Sequence, residues 1–271
     1  MKKNKIKILF VSHEFSIGGS TVSLISLIQG LKKCSDIEIQ VLIPQKKEGL
    51  AQKEFCKRKI SFKTMLYRRN YKRISEKYRL KFHIFDILNT FASLKLCKYI
   101  KKEKIDIVCS NSTGVDIGAR AAKMAQVPHI YYVREFMEED HGCEYRNKKR
   151  MRDLLEASDY VIFISKAIQE KYTRLYKLKK YTMFFNGFIL DDYIIANHVI
   201  LQNDKLNIIQ IGALSDGKGA MNSLKVIKQL RDMGINNIHM EFVGTGIPEY
   251  VNAMKQYIQN NNLEQFVVIS G

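Results

Sequence analysis

The chain has 271 residues, 46% of them hydrophobic, and a formal charge of +18. Such a length suits about two domains, and such an apolar share builds packed cores, which excludes a disordered chain. No apolar run reaches the ~20 residues of a membrane span, and five cysteines without a CxxC pair point to reduced thiols of a cytoplasmic protein rather than a disulfide frame or a zinc site.

In chain order, apolar runs suited to buried strands cover Ile6–Val11, Ile37–Ile43, Ile105–Cys109, His129–Val133, Tyr160–Ile164, Thr182–Phe185, Leu206–Ile211, His239–Val243 and Phe266–Ile269. The first has the look of a secretory leader, but Lys7 interrupts it and it is too short for a signal core, so it reads as a strand. Helical patterns lie between most of these runs. Val22, Ile25, Ile28 and Leu31 form one stripe; Ile84, Ile87, Leu88, Phe91 and Leu94 form another. Ser20 or Thr21 is placed to cap the first helix, and Ser165 a later one that carries Ile168, Tyr172 and Leu175. Pro248 suits the first turn of a helix through Tyr250, Val251, Met254, Tyr257 and Ile258.

Strands alternating with helices predict an α/β chain whose parallel sheets are covered on both faces. Chemistry in such sheets belongs to the loops beyond the carboxyl ends of the strands. The alternation lapses from Asn186 and resumes at Leu206, which predicts a first domain over 1–190, a linker over 191–205 and a second domain over 206–271.

Four strand-to-helix loops stand out. After the first strand, Gly18 and Gly19 precede a helix, and bare backbone amides there can accept an anion. This is no GxGxxG fingerprint, and no acidic residue ends the second strand, so a nicotinamide cofactor is weakly supported. Gly212 to Lys218 matches GxxxxGK, the start of a Walker A loop, but Gly219 stands where the magnesium-binding Ser or Thr belongs. What survives is a lysine at a helix start, suited to a diphosphate; the alternative is a solvated lysine in a turn. Gly244 and Gly246 form a third loop ahead of Pro248, adding backbone amides to the same sheet edge. Arg134 and Glu135 end the strand at His129–Val133, where a charged pair meets a substrate better than it packs; an ordinary ion pair is the bland alternative. His13 and His141 have no spaced partner that would suggest a metal.

The charge is uneven. Residues 45–104 hold 19 Lys and Arg against 5 Asp and Glu, a net +14, interleaved with Phe62, Met65, Leu66, Tyr67, Tyr71, Tyr78 and Phe82. That composition suits an anionic membrane face, with a solvated lysine-rich surface as the alternative. No helix-turn-helix, RRM or zinc pattern accompanies it, so nucleic acid is not an expected partner.

Taken in order, "ILFVSHEFSIGGSTVSLISLIQGL", "IDIVCSNSTGVDIGARAAKMAQVPHIYYVREF", "SDYVIFISKAI", "FFNGF", "IIQIGALSDGKGAMNSLKVIKQL" and "MEFVGTGIPEY" resemble a GT-B-fold glycosyltransferase, most similar to the retaining family-four enzymes of bacterial surface polysaccharide synthesis. The resemblance implies two Rossmann-like domains, a nucleotide-sugar donor, a saccharide or lipid-linked acceptor and no metal or other cofactor. It implies that Gly18 and Gly19 lie over the donor diphosphate, that Lys218 clamps it, that Gly244 and Gly246 border it, and that Arg134 and Glu135 face sugar and acceptor as the catalytic pair. A cytoplasmic protein, peripheral on the inner face of the membrane, follows. Two features depart from the family pattern: Ala213 stands where members carry an arginine, and the E-x7-E motif would fall after Gly271. The expectation is therefore an incomplete second domain and no activity from the 271-residue chain alone, with a non-catalytic remnant or one subunit of a split enzyme as the rival reading.

Overall fold

The computed structural model describes residues 5–45, 49–140, 142–187 and 206–271. The chain divides into two compact units, Met1–Asp192 and Tyr193–Gly271. The expected linker, 191–205, lies outside the described residues.

The first unit is built on seven parallel strands: β1 (Ile6–Val11), β2 (Ile37–Pro44), β3 (Phe62–Met65), β5 (Ile107–Ser110), β6 (His129–Val133), β8 (Tyr160–Phe163) and β9 (Tyr181–Met183), in the order β3-β2-β1-β5-β6-β8-β9. Helices α1 (Gly19–Leu31), α2 (Leu50–Lys57), α3 (Leu80–Glu103), α4 (Ile117–Ala125), α5 (Lys148–Ala157) and α6 (Lys166–Leu175) intervene. Alternation along β1 explains why both faces need cover. Leu9 and Val11 pack with Leu96, Ile100, Ile117 and Ala121 of α3 and α4, whereas Phe10 points the other way to Leu24, Ile25 and Ile28 of α1. A third cluster joins Tyr131, Val133, Val161 and Phe163 to Leu155 of α5 and Ile168 and Tyr172 of α6. Ser165 caps α6, its hydroxyl accepting from the Ile168 amide at 3.3 Å.

Two short strands, β4 (Tyr71–Arg73) and β7 (Cys143–Tyr145), pair antiparallel outside the sheet. They and β3 escape the periodicity, because three or four residues show no pattern until a partner strand pairs with them; α2 escapes it because only Ala51 and Phe55 of its eight residues are buried. At the other end of the unit, the expected strand over Thr182–Phe185 stops at Met183, leaving Phe184 and Phe185 exposed. The expected strand from Ile105 starts instead at Ile107, since the Ile105 amide closes α3 on the Ile100 carbonyl.

Two helices differ from expectation in detail. Neither Ser20 nor Thr21 caps α1: Gly18 is the cap residue, and both hydroxyls turn to Glu14. Helix α3 forms, but Leu80, Ile84, Ile87, Phe91 and Leu94 face outward, while Phe82, Asn89, Ala92, Ser93, Leu96 and Ile100 face the sheet. Polar Asn89 and Ser93 are satisfied inside, Asn89 by the Arg68 backbone and Ser93 by the Asn89 carbonyl, so the inner face tolerates them.

The second unit has three parallel strands, β10 (Leu206–Ile211), β11 (Ile238–Val243) and β12 (Val267–Ser270), with α7 (Ala220–Asp232) and α8 (Pro248–Asn260) as crossovers. Phe242, Met240, Leu224, Ile227, Met254 and Leu263 form its core. Pro248 occupies the first turn of α8, where its missing N–H costs nothing.

Candidate functional site

In the second unit the three strands end side by side in glycine. The Gly212 amide donates to the Val243 carbonyl and the Gly244 amide to the Ser270 carbonyl, both at 3.0 Å. A side chain at Gly244 would strike the Gly212 carbonyl, and one at Gly271 would strike the Gly244 carbonyl. Gly212 and Gly244 also adopt φ values of 150° and 151°, which L side chains rarely reach. The result is a bare ledge of backbone across the carboxyl edge of the sheet. Gly246 continues it, bridged to Leu214.

Lys218 ends a short 3-10 turn over Asp216–Lys218 beside this ledge, and left-handed Gly219 (φ 69°) turns the chain into α7. Gln210 fixes the turn by donating to the Lys218 carbonyl at 2.8 Å. The Lys218 side chain is exposed, with no ion pair or hydrogen bond among the described residues. Tyr250 accepts the Met221 amide at 3.2 Å, which takes up one first-turn donor of α7.

In the first unit, the two glycines before α1 differ. The space beside Gly18 is filled by the Glu14 carboxylate, 2.9 Å from where a Cβ would stand, whereas a Cβ at Gly19 would meet open space. Glu14 accepts from Ser20 at 2.7 Å and Thr21 at 3.2 Å, with the His13 ring at 3.5 Å. Burial alone would raise this carboxyl, but His13 and then the two hydroxyls outweigh it and hold it at about 2. A carboxylate at a helix start is also favoured by the helix dipole.

Arg134 and Glu135 are both buried and hold different partners rather than each other. The Arg134 guanidinium donates to Asn111 at 2.9 Å and Asn186 at 2.7 Å and lies 4.1 Å from the centre of the Tyr132 ring. Burial pulls its pKa down, with Tyr132 opposing. Glu135 accepts from the Ser112 hydroxyl at 2.5 Å, the Thr113 hydroxyl at 3.0 Å and the Thr113 amide at 3.1 Å. Each charge is therefore fixed by neutral dipoles at the mouth of β5 and β6.

Of the residues the sequence singles out, Lys218, Gly244 and Gly246 lie at one sheet edge of the second unit; in the first, Gly18 and Gly19 start α1 and Arg134 and Glu135 follow β6, joined through Asn111, which donates to the Ser20 carbonyl at 3.2 Å and accepts from Arg134. Glu14 and Gly271 are not among the residues so singled out, and Gly212 enters only as the start of the GxxxxGK match; the place of all three beside the others shows only across neighbouring loops or strands. His141 lies outside the described residues. Among the described residues, no three or more His, Cys, Asp or Glu are grouped to hold a metal ion, and no helix is long and apolar enough to cross a membrane.

Comparison with known proteins gives this arrangement a family. No curated protein matches the sequence. Among solved structures, HepE from Anabaena, in complex with UDP, superposes with a TM-score of 0.73 at 17% identity, covering 97% of this chain and 68% of its own. A glycosyltransferase from Rickettsia africae gives 0.69 at 17% identity, covering 99% and 68%. The lipopolysaccharide outer core galactosyltransferase WaaB gives 0.63 at 15% identity, covering 97% and 67%. These likenesses establish a fold of the GT-B type. Residues 17–192, well over half of the chain, match the model of Glycosyltransferase Family 4, and the chain belongs to that family.

Proposed function

We propose that the protein moves a sugar, with retention of configuration, from a nucleotide-sugar to a lipid-linked saccharide acceptor in cell-surface polysaccharide synthesis. The observation that carries the donor half is the glycine ledge of the second unit with a lysine beside it that has no side-chain partner among the described residues. A diphosphate can approach backbone that closely only where no side chain projects. Its charge grows as the sugar departs, so a cation held nearby stabilises the transition state more than the ground state. Lys218 supplies that cation, and no metal or other cofactor is required. Within the first unit, Gly19 is the glycine with open space beside it to receive an anion, since Glu14 fills the space beside Gly18. Arg134 and Glu135 face sugar and acceptor, and their neutral partners keep both charges oriented without cancelling them.

The UDP in the HepE complex supports a nucleotide donor here. The acceptor side is read from residues 45–104, whose net +14 suits an anionic membrane at the cytoplasmic face. The outward stripe of α3 strengthens that reading, because its apolar side chains continue into Lys95, Lys98, Lys101 and Lys102. The test is transfer of label from nucleotide-sugars to a membrane lipid extract. In a protein that carries out the transfer, Lys218→Ala should lower turnover by about 2–4 kcal/mol of transition-state stabilisation while leaving the fold intact. Unchanged turnover in a folded variant would remove Lys218 from the mechanism.

A further inference from the structure

The first unit contains a cavity of about 510 Å3 that the site above does not use. It lies between the segment after β3, the β4–β7 ribbon and the start of α3, and His13 reaches it from β1. Six cations line it: Arg68, Arg69, Lys72, Arg73, Lys81 and Arg146. The only lining carboxylate among the described residues is Glu76.

Three of the six cations are already matched. Lys72 pairs with Glu144 at 2.7 Å, Lys81 with Glu76, and Arg146 with Asp86 at 2.9 Å. Arg68, Arg69 and Arg73 have no carboxylate partner among the described residues. Their guanidiniums rest on aromatic faces or face solvent: Arg68 lies 5.7 Å from the Phe85 ring centre and Arg69 5.7 Å from that of Tyr71.

The backbone that carries the first two arginines is nevertheless fixed from the inside. Asn89, fully buried, accepts from the Arg68 amide at 2.8 Å and donates to the Arg68 carbonyl at 2.7 Å. Arg146 donates to the Arg69 carbonyl. On either side of the pair, buried Tyr67 donates to the Ser12 carbonyl at 2.5 Å and buried Asn70 donates to the Thr113 carbonyl at 3.0 Å. Burying polar side chains to immobilise a loop is costly unless they are hydrogen-bonded; here each holds backbone, while the Asn70 Oδ1 has no partner among the described residues. Such a loop presents two exposed arginines in a set position, a third follows on β4, and His13 keeps a buried Nδ1 without a hydrogen-bond partner among the described residues.

We propose that this cavity binds a phosphate group of the acceptor, as a phosphomonoester or a diphosphate. The proposal rests on reading the first unit as the acceptor side. Three surplus guanidiniums exceed what one carboxylate needs, and their planar forks match the several oxygens of a phosphate. The aromatic walls from Tyr71, Phe82 and Phe85 suit the sugar or isoprenoid portion next to that phosphate. The phosphate can be carried by a lipid or by a soluble sugar, and both present the same chemistry to the arginines.

The test uses the full chain carrying Lys218→Ala, so that the donor side contributes least, titrated with inorganic pyrophosphate. In that background Arg68→Gln, Arg69→Gln and Arg73→Gln together should weaken binding about tenfold or more. Lys95→Gln, Lys98→Gln and Lys102→Gln, which remove the same charge outside the cavity, should leave it unchanged. Each arginine replaced singly should show a partial loss, which guards against a triple variant that fails to fold. Sedimentation with phosphatidylcholine vesicles, with and without phosphatidic acid, then separates the sources. Loss of pyrophosphate and of phosphatidic acid binding together assigns a lipid phosphate; loss of pyrophosphate binding alone assigns a soluble one. Equal losses from the arginine and lysine sets, or no saturable pyrophosphate binding before the arginines are changed, would overturn the proposal. UDP binding by the unmodified chain is read separately, so a failed donor site is told apart from a failed phosphate cavity.

Discussion

His129 shows how a single buried side chain sets a property of the whole fold. Its Nδ1 and Nε2 each lie 2.9 Å from a serine hydroxyl, of Ser158 and Ser110 respectively. Because Ser158 donates to the Leu154 carbonyl, Nδ1 must carry the proton and Nε2 accepts from Ser110. Burial then pushes the ring down to about 3 against the weaker pull of Asp159. The unfolded chain takes up this proton near pH 6.5 and the folded one only near 3, so stability falls as pH drops through that window, by up to about 1.4 kcal/mol per unit. Urea unfolding between about pH 6.5 and 5.5, where the carboxylates are still largely ionised, should show that slope developing, and His129→Asn should flatten it. A slope unaffected by the substitution would mean that the ring is charged in the fold. Glu14 acts lower down: its carboxyl is held at about 2, so its contribution is present above its unfolded value and is lost as pH falls towards 2. At this scale the sequence showed the glycines and Lys218 because loop chemistry is local. Glu14 was invisible because its role depends on a loop folding back over Gly18.

Among the elements, α3 departs furthest from its sequence pattern. The periodicity of Ile84, Ile87, Phe91 and Leu94 correctly announces a helix, yet Phe91 is 65% exposed and Ile87 56%. A repeat of apolar residues says that a face exists but not what covers it, and here the sheet takes the face carrying Asn89 and Ser93 instead. An outward apolar stripe of this length marks an interaction surface. If it lies on a membrane, Ile87→Glu with Phe91→Glu should weaken binding to acidic vesicles by about tenfold or more, since each buried apolar side chain is worth roughly 1.5–3 kcal/mol. Thermal stability should hardly move, because both positions are exposed. Undiminished vesicle binding would leave the stripe without a role at a membrane. The short strands β3, β4 and β7 were illegible for another reason: their identity lies in pairing, as Tyr71 with Tyr145 and Arg73 with Cys143, rather than in any run of residues.

For the molecule as a whole, the cores are separate. The clusters around Leu9, Phe10 and Tyr131 lie entirely within the first unit and the cluster around Phe242 entirely within the second. Residues 1–192 expressed alone should therefore unfold cooperatively, with near-ultraviolet dichroism retained below the transition. A gradual, uncooperative melt would show that the first unit needs the second for its packing. The alternation of strands and helices made both parallel sheets readable in advance, whereas the ledge of Gly212, Gly244 and Gly271 required knowing which strands are neighbours.

Titrating the chain with UDP shows whether this ledge and Lys218 hold the diphosphate of a nucleotide-sugar. Binding should be saturable and should weaken about tenfold or more in Lys218→Ala, through the loss of one charge-assisted contact. A comparable loss should follow in Gly246→Ala, where the added methyl would crowd the Leu214 carbonyl at the ledge. Affinity equal in the parent and in folded Lys218→Ala, or no UDP binding by the parent, would contradict that role.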